Sequence, residues 1–202
     1  MTLTLYGDRV SGNCLKVKWV ADRLELPYRW VDVDVVKGEA RAPAFLRVNP
    51  AGQVPAVVLA DGRGLAQSNA ILLHLAEGSD LIPADPYDRA KMFEWMFWEQ
   101  YTHEPAIAVR RYHKAYLGKS DADIDPGLMV RGREALARME AALAASAGWF
   151  AGDRLSLADV ALVAYTRVAH EGGFDLADYP AVRAWVARVE AALPIREGDR
   201  PA

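Results

Sequence analysis

The sequence has one cysteine, Cys14, among 202 residues. A lone cysteine excludes an internal disulfide and fits a reducing compartment. No apolar stretch approaches the roughly 20 residues that a membrane-spanning helix needs. The opening residues, MTLTLYGDRV, lack a basic region followed by an apolar run, so they do not read as a secretory leader. An excess of one charge is missing too: 24 Lys and Arg stand against 27 Asp and Glu, a formal net charge of −3. That removes the electrostatic case for nucleic acid or a membrane surface as partner. The four histidines, His74, His103, His113 and His170, are scattered. Glu104 follows His103 and Glu171 follows His170, but no metal-ligand spacing is present and no metal is expected. There is no internal repeat and no low-complexity segment. What remains is 52% apolar and ample for a buried core in one or two domains. It reads as a cytoplasmic enzyme or binding protein.

The first 78 residues alternate between two patterns. Leu3 to Tyr6 reads as a buried strand, and Ser11 or Gly12 opens a helix to about Leu24 with Leu15, Val17, Trp19 and Val20 on an apolar face. YRWVDVDV, residues 28–35, alternates at period two, as a half-buried strand does. Residues 39–47 suggest a short irregular helix around Pro43. VPAVVL, residues 54–59, predicts a third strand. Asp61-Gly62 marks a hairpin turn, and a short strand follows at Leu65. Ser68 is then placed to cap a helix ending at Gly78. This order predicts a mixed sheet with helices packed on it. Residues 79–88, with Pro83 and Pro86, read as a linker. Beyond them no strand signal remains. Residues 88–117 predict a helix pair or one bent helix, broken near Pro105, and further helices are expected over 128–146, 156–170 and 180–193. Residues 89–202 therefore form an all-α domain in this reading.

Three local patterns bear on chemistry. A Val54-Pro55 pair before a strand is either an inert edge proline or, if the bond is cis, a sharp turn. Such a turn would leave the Val54 N–H and C=O facing outward to pair with an extended peptide. Ser68 at a helix start either caps that helix or helps a carboxylate sit at its positive end, with Gln67 beside it offering an amide. VSGNCLKV, residues 10–17, sets a hydroxyl, a glycine, an amide and the thiol at the turn between the first strand and the first helix. Elsewhere, Ser156 and Asp159 have capping-box spacing, with Leu155 and Val160 at the staple positions; that pattern serves folding, not chemistry.

Taken together and in order, SGNCLKV, NPAGQVPAVV, LAQSNAILLHLAEG and SLADVAL resemble a cytosolic glutathione transferase over nearly the whole chain. The Ser-x-Asn arrangement resembles the bacterial branch that uses a hydroxyl and an asparagine. The resemblance implies an α+β N-terminal thioredoxin-like domain, an all-α C-terminal domain and a homodimer, with glutathione as co-substrate. It implies Ser11 as the main donor to the glutathione sulfur and Asn13 as the second. Val54 would pair with the cysteinyl main chain, Gln67 and Ser68 would hold the γ-glutamyl end, and Gln53 and Arg41 the glycyl carboxylate. Many family members carry an acidic residue where Gln67 stands, so the amide here removes a charged partner for the γ-glutamyl ammonium. Tyr6, used as the donor in some members, reads here as a core aromatic. Cys14, inside the helix beside Leu15, reads as a small packed hydrophobe rather than a nucleophile. The second substrate, a small hydrophobic electrophile or a peroxide, is expected against the aromatic run at residues 93–113, with Tyr101, His103 and Arg110 as polar contacts. Two rivals stand beside this reading: a non-catalytic glutathione-fold binding or stress-adaptor protein, and a thiol–disulfide oxidoreductase acting through Cys14.

Overall fold

The structure is a computed structural model that describes residues 2–196 and residue 199. The chain divides into two compact units, Met1–Ser79 with Leu193–Ala202, and Asp80–Ala192.

In the first unit the strands are β1 (Leu3–Gly7), β2 (Tyr28–Asp32), β3 (Ala56–Val58) and β4 (Gly64–Ala66), in the sheet order β2-β1-β3-β4. β1 and β2 run parallel, joined through helix α1 (Gly12–Arg23), while β3 and β4 are antiparallel additions. A parallel pair needs a crossover of this length, and the hairpin needs only the Asp61–Gly62 turn, where Gly62 takes φ +90°. A short helix α2 (Pro43–Leu46) precedes β3, and helix α3 (Ser68–Leu75) follows β4. Leu15, Val17, Trp19 and Val20 of α1 are all buried, and so are Ile71 and Leu72 of α3. Tyr6 packs edge-on against Phe45 with ring centroids 6.1 Å apart, beside Val33, Ala40 and Ala56. Tyr6 is thus partly buried against this cluster, at the edge of the core position that the sequence suggests.

Several boundaries differ from the pattern, each for a local reason. β2 stops at Asp32 rather than Val35, because the main chain leaves the ladder for side chains. Val33 N–H still bonds to the Gly7 carbonyl at 2.9 Å, but Asp34 N–H goes to Glu39 Oε2 at 2.8 Å and Val35 N–H to Asp8 Oδ2 at 3.0 Å. β3 begins at Ala56 rather than Val54, after a Val54–Pro55 peptide bond that is cis. The residue capping α3 is Gln67, not Ser68; Ser68 is its first helical residue, and the helix ends at Leu75, three residues before Gly78. Residues from Leu193 group with the first unit rather than with the helices before them. Their anchor is Asp199, 3% exposed, whose carboxylate accepts from Lys18 Nζ at 3.2 Å and Trp19 Nε1 at 3.1 Å on α1.

The second unit is helical throughout its regular elements: α4 (Pro86–Trp98), α5 (Glu104–Arg111), α6 (Pro126–Ala144), α7 (Leu157–Thr166) and α8 (Pro180–Ala192). The expected break near Pro105 is absent. A π-helical segment, Glu99–His103, runs from α4 directly into α5, and a second one, Tyr112–Tyr116, continues it. Proline lacks an N–H and clashes with the preceding turn. Here Pro105 lies in the first turn of α5, directly after the widened π turn, so the chain passes it without stopping. The core is aromatic: Phe150 lies 4.5 Å from the Trp95 ring and 5.0 Å from that of Trp185. Ser156 and Asp159 form the capping box of α7. Asp159 is fully buried and also accepts from Phe150 N–H at 3.1 Å and Trp185 Nε1 at 2.9 Å, so one carboxylate ties three elements together. Burial raises its carboxyl pKa, against the hydrogen bonds that favour the anion. No described helix is long and apolar enough to cross a membrane.

Candidate active site at the carboxyl end of β1

Strand registry brings the sequence-predicted residues of the first unit to one end of the sheet. Tyr6 pairs with Ala56, and Ala56 with Ala66. Beyond this row the chain leaves the sheet at one end: β1 passes after Gly7, itself still paired with Asp32, into the Asp8–Ser11 turn, Pro55 and Val54 form the loop before β3, and Gln67 leads into α3. Gly7 is required here, since a Cβ would come within 2.7 Å of the Trp30 ring and 3.1 Å of Cys14.

Ser11 takes the N-cap position of α1 with extended main-chain angles (φ −81°, ψ 118°), but its side chain makes no capping bond. The hydroxyl is directed instead at the sulfur of Cys14. Cys14 is fully buried. Burial pushes its thiol up to about 12, overriding hydrogen bonds from the Ser11 side chain and the Asp8 main chain that favour the thiolate. A thiol so protonated is a poor nucleophile at neutral pH.

Asn13, in the first turn of α1, receives the Ser68 hydroxyl on Oδ1 at 3.0 Å. This bond spans 55 residues and joins the starts of α1 and α3, so the positive ends of two helix dipoles face one small polar corner. Gln67 is exposed and has φ +69°, ψ 111°. A side-chain-bearing residue at positive φ, outside the left-handed helical well, is held there at a cost of order 1–3 kcal/mol. Arg41, exposed, lies across Gly52 and donates from Nη1 to the Ala51 carbonyl at 3.3 Å. The Gln53 carbonyl accepts from Asn49 Nδ2 at 2.7 Å, which leaves the exposed Gln53 side chain next to Val54. Ser11, Asn13, Gln53, Val54, Gln67, Ser68 and Arg41 thus lie on adjoining turns. An open cavity of about 490 Å³, lined by Leu3, Leu26, Pro27, Leu59 and His74, sits at the opposite end of β1 and contains none of them.

The three residues expected to contact a second substrate separate in the helical unit. Tyr101 is 88% exposed. His103 and Arg110 are both interior. His103 is fully buried and shares a 2.9 Å hydrogen bond with the Thr166 hydroxyl. Arg110, 4% exposed, donates from Nε to the Gly172 carbonyl at 2.8 Å and from Nη2 to Asp121 at 2.5 Å. Among the described residues no cluster of His, Cys, Asp or Glu is suited to holding a metal. Asp8, whose carboxylate meets the Val10 and Val35 N–H groups, was not singled out by any motif.

A mixed four-stranded sheet that delivers a cis-proline loop and two helix starts to one corner, followed by an all-α unit, defines a thioredoxin-like protein with a helical C-terminal domain. Comparison with known proteins gives the family. The glutathione S-transferase N-terminal domain profile matches residues 1–77 and the C-terminal domain profile residues 100–192. The chain belongs to the glutathione S-transferase family. It is similar to the crystal structure of a glutathione S-transferase from Pseudomonas fluorescens Pf-5, with 42% identity and a TM-score of 0.91 over 100% of this chain and 98% of that one. It is 30% identical to the disulfide-bond oxidoreductase YfcG of Escherichia coli K12 over 189 residues, 89% of this chain and 86% of YfcG. It is likewise 30% identical to the transcriptional regulator Ure2 of Saccharomyces cerevisiae over 223 residues, spanning 90% of this chain and 63% of that protein's length. A structure of Ure2p in complex with glutathione matches with a TM-score of 0.84 at 27% identity, over 98% of this chain and 92% of that one.

Proposed function

We propose that the chain is a glutathione transferase that binds glutathione at the corner just described and holds its sulfur as the thiolate. The observation that carries this reading is the Ser11 hydroxyl at the start of α1, left out of the helix cap, beside the Ser68–Asn13 bond that joins the starts of α1 and α3. A free thiol has a pKa near 8.5, so a site that uses it at neutral pH must favour the anion. Hydroxyl and amide donors do so by bonding to the charged form, and the α1 dipole adds to them. The Val54 main chain lies outside the β3 ladder and suits pairing with the cysteinyl residue of an extended tripeptide. Gln67 and Ser68, at the start of α3, suit the γ-glutamyl end, and strain at a polar exposed residue such as Gln67 is characteristic of binding positions. Gln53 and Arg41 suit the glycyl carboxylate.

In the reaction the thiol proton passes to solvent, the sulfur attacks the electrophilic carbon of an apolar substrate, and the leaving group departs with the bonding electrons. In the variant the sulfur attacks a peroxide oxygen, the O–O bond breaks with the alkoxide or hydroxide leaving, and a second glutathione converts the sulfenic acid so formed to the disulfide with release of water. Of the expected second-substrate contacts, Tyr101 remains the one open to a ligand. Family resemblance further implies a homodimer, which sedimentation would test. The ultraviolet absorbance of the thiolate, titrated with pH in the presence of glutathione, tests the central claim. A bound-thiol pKa below that of free glutathione supports it, and binding with an unshifted pKa removes it.

The similarity to YfcG raises disulfide chemistry as a second activity, but the fully buried, protonated Cys14 argues that this chain would not perform it with its own thiol. The similarity to Ure2 supports the non-catalytic alternative. Glutathione binding without turnover of any electrophile or peroxide would favour it.

A further inference from the structure

Asp8 follows β1 directly and stands three residues before Ser11. It is 9% exposed. Its Oδ1 accepts the Val10 N–H at 3.0 Å, and its Oδ2 accepts the Val35 N–H at 3.0 Å from the loop after β2. Its main-chain carbonyl accepts the Ser11 N–H at 3.2 Å. Both oxygens of one carboxylate are therefore engaged by main-chain donors, one 2 and the other 27 residues from Asp8 in sequence. The nearby charges are otherwise matched: Arg9 pairs with Asp32 at 3.0 Å and Lys37 with Asp34 at 2.9 Å. Hydrogen bonds to an ionised acceptor are roughly twice as strong as neutral ones. The turn that carries Ser11 is thus tied to a second loop through the Asp8 carboxylate.

We propose that Asp8 is a positioning residue for the chemistry: by clamping the Val10 and Val35 N–H groups it fixes the direction in which Ser11 presents its hydroxyl to the glutathione sulfur. This rests on the reading given under Proposed function. A buried carboxylate near a thiolate is unfavourable by charge alone, so its value must lie in geometry. Because its lone pairs face main-chain donors, the field it exerts on the corner is partly cancelled.

Asp8→Asn and Asp8→Ala, each titrated by thiolate absorbance with glutathione bound, separate the explanations by sign. Positioning predicts a raised bound-thiol pKa in both variants. It predicts a kcat lowered at least ~10-fold in Asp8→Ala, since small misplacements at a reacting centre are expensive. The glutathione Kd, set mainly by residues 53–54 and 67–68, should change less than about threefold by calorimetry, as expected when only transition-state contacts are lost. A lowered pKa would mean that Asp8 acts only as a neighbouring charge, and an unchanged pKa with a lower Tm that it is only structural; either overturns the proposal. If Asp8→Ala does not fold, Asp8→Asn decides alone, because it keeps the volume and one acceptor. If the wild-type protein neither binds glutathione nor lowers its pKa, the parent reading fails and this one with it. Wild-type behaviour in the variants, with the wild type itself active, overturns this one only.

Discussion

Two serines begin helices in this molecule and meet opposite fates. Ser156, in the helical unit, is 1% exposed and locked into a reciprocal capping box with Asp159, whose carboxylate takes both its N–H and its hydroxyl. Ser11, in the sheet unit, sits at the same position of α1 with its hydroxyl left out of the cap. The contrast extends to their surroundings. In the helical unit polar groups are consumed by the fold: Asp85 and Asp125 cap α4 and α6, His103 bonds Thr166, and Arg110 bonds Gly172 and Asp121. At the end of β1 the Ser11 hydroxyl stays out of the cap, Ser68 bonds Asn13 across 55 residues, and exposed Gln67 is held at strained angles. Comparing like residues shows where stability was not the local optimum, which is a physical sign of a working site.

The sharpest way to break the contrast is Asp159→Ala. It would leave the Ser156, Phe150 and Trp185 donors without an acceptor inside the core, and we expect a loss of about 3 kcal/mol or more in denaturant unfolding. Glutathione affinity of the protein that remains folded should not change. Ser11→Ala should do the reverse. Turnover should fall at least ~10-fold, equivalent to about 1.4 kcal/mol, through a raised thiol pKa. Stability should stay within about 0.5 kcal/mol, because no cap is lost. A Ser11→Ala protein that unfolds easily yet turns over normally would invert the comparison. Ser156→Ala should cost about 1 kcal/mol of stability and nothing in activity. Gln67→Gly relieves the positive φ and should stabilise by about 0.5–1 kcal/mol while weakening glutathione binding, as calorimetry would show. The smallest effect concerns Cys14. With its folded pKa raised to about 12 from 9.0, it favours the fold below pH 9, and this contribution is lost as pH rises toward 12. The native protein at neutral pH should therefore resist thiol reagents that label it readily once denatured.

Local signals in the sequence were reliable where one stretch sets its own structure. The alternation at Tyr28–Asp32, the Asp61–Gly62 turn, the α1 apolar face and the Ser156–Asp159 box all formed. The site was legible as a set of turn residues, since Ser11, Asn13, Gln67 and Ser68 fall where elements end. What could not be read were pairings over long separations. The Ser68–Asn13 bond spans 55 residues and the Val35–Asp8 bond 27, and neither leaves a trace in spacing. Nor do π turns have a clear residue signature. They shift everything after them on the helix face, and the bonds that hold His103 to Thr166 and Arg110 to Gly172 each span more than 60 residues.

The anchoring of Asp199 to Lys18 and Trp19 has a consequence for how the protein is made. The partners lie about 180 positions apart in sequence. At a translation rate of 5–20 residues per second, roughly ten seconds or more pass between the emergence of α1 and that of its last contact. The sheet unit can gather its own strands early, but Lys18 and Trp19 of its first helix wait for some 180 further residues before this carboxylate reaches them.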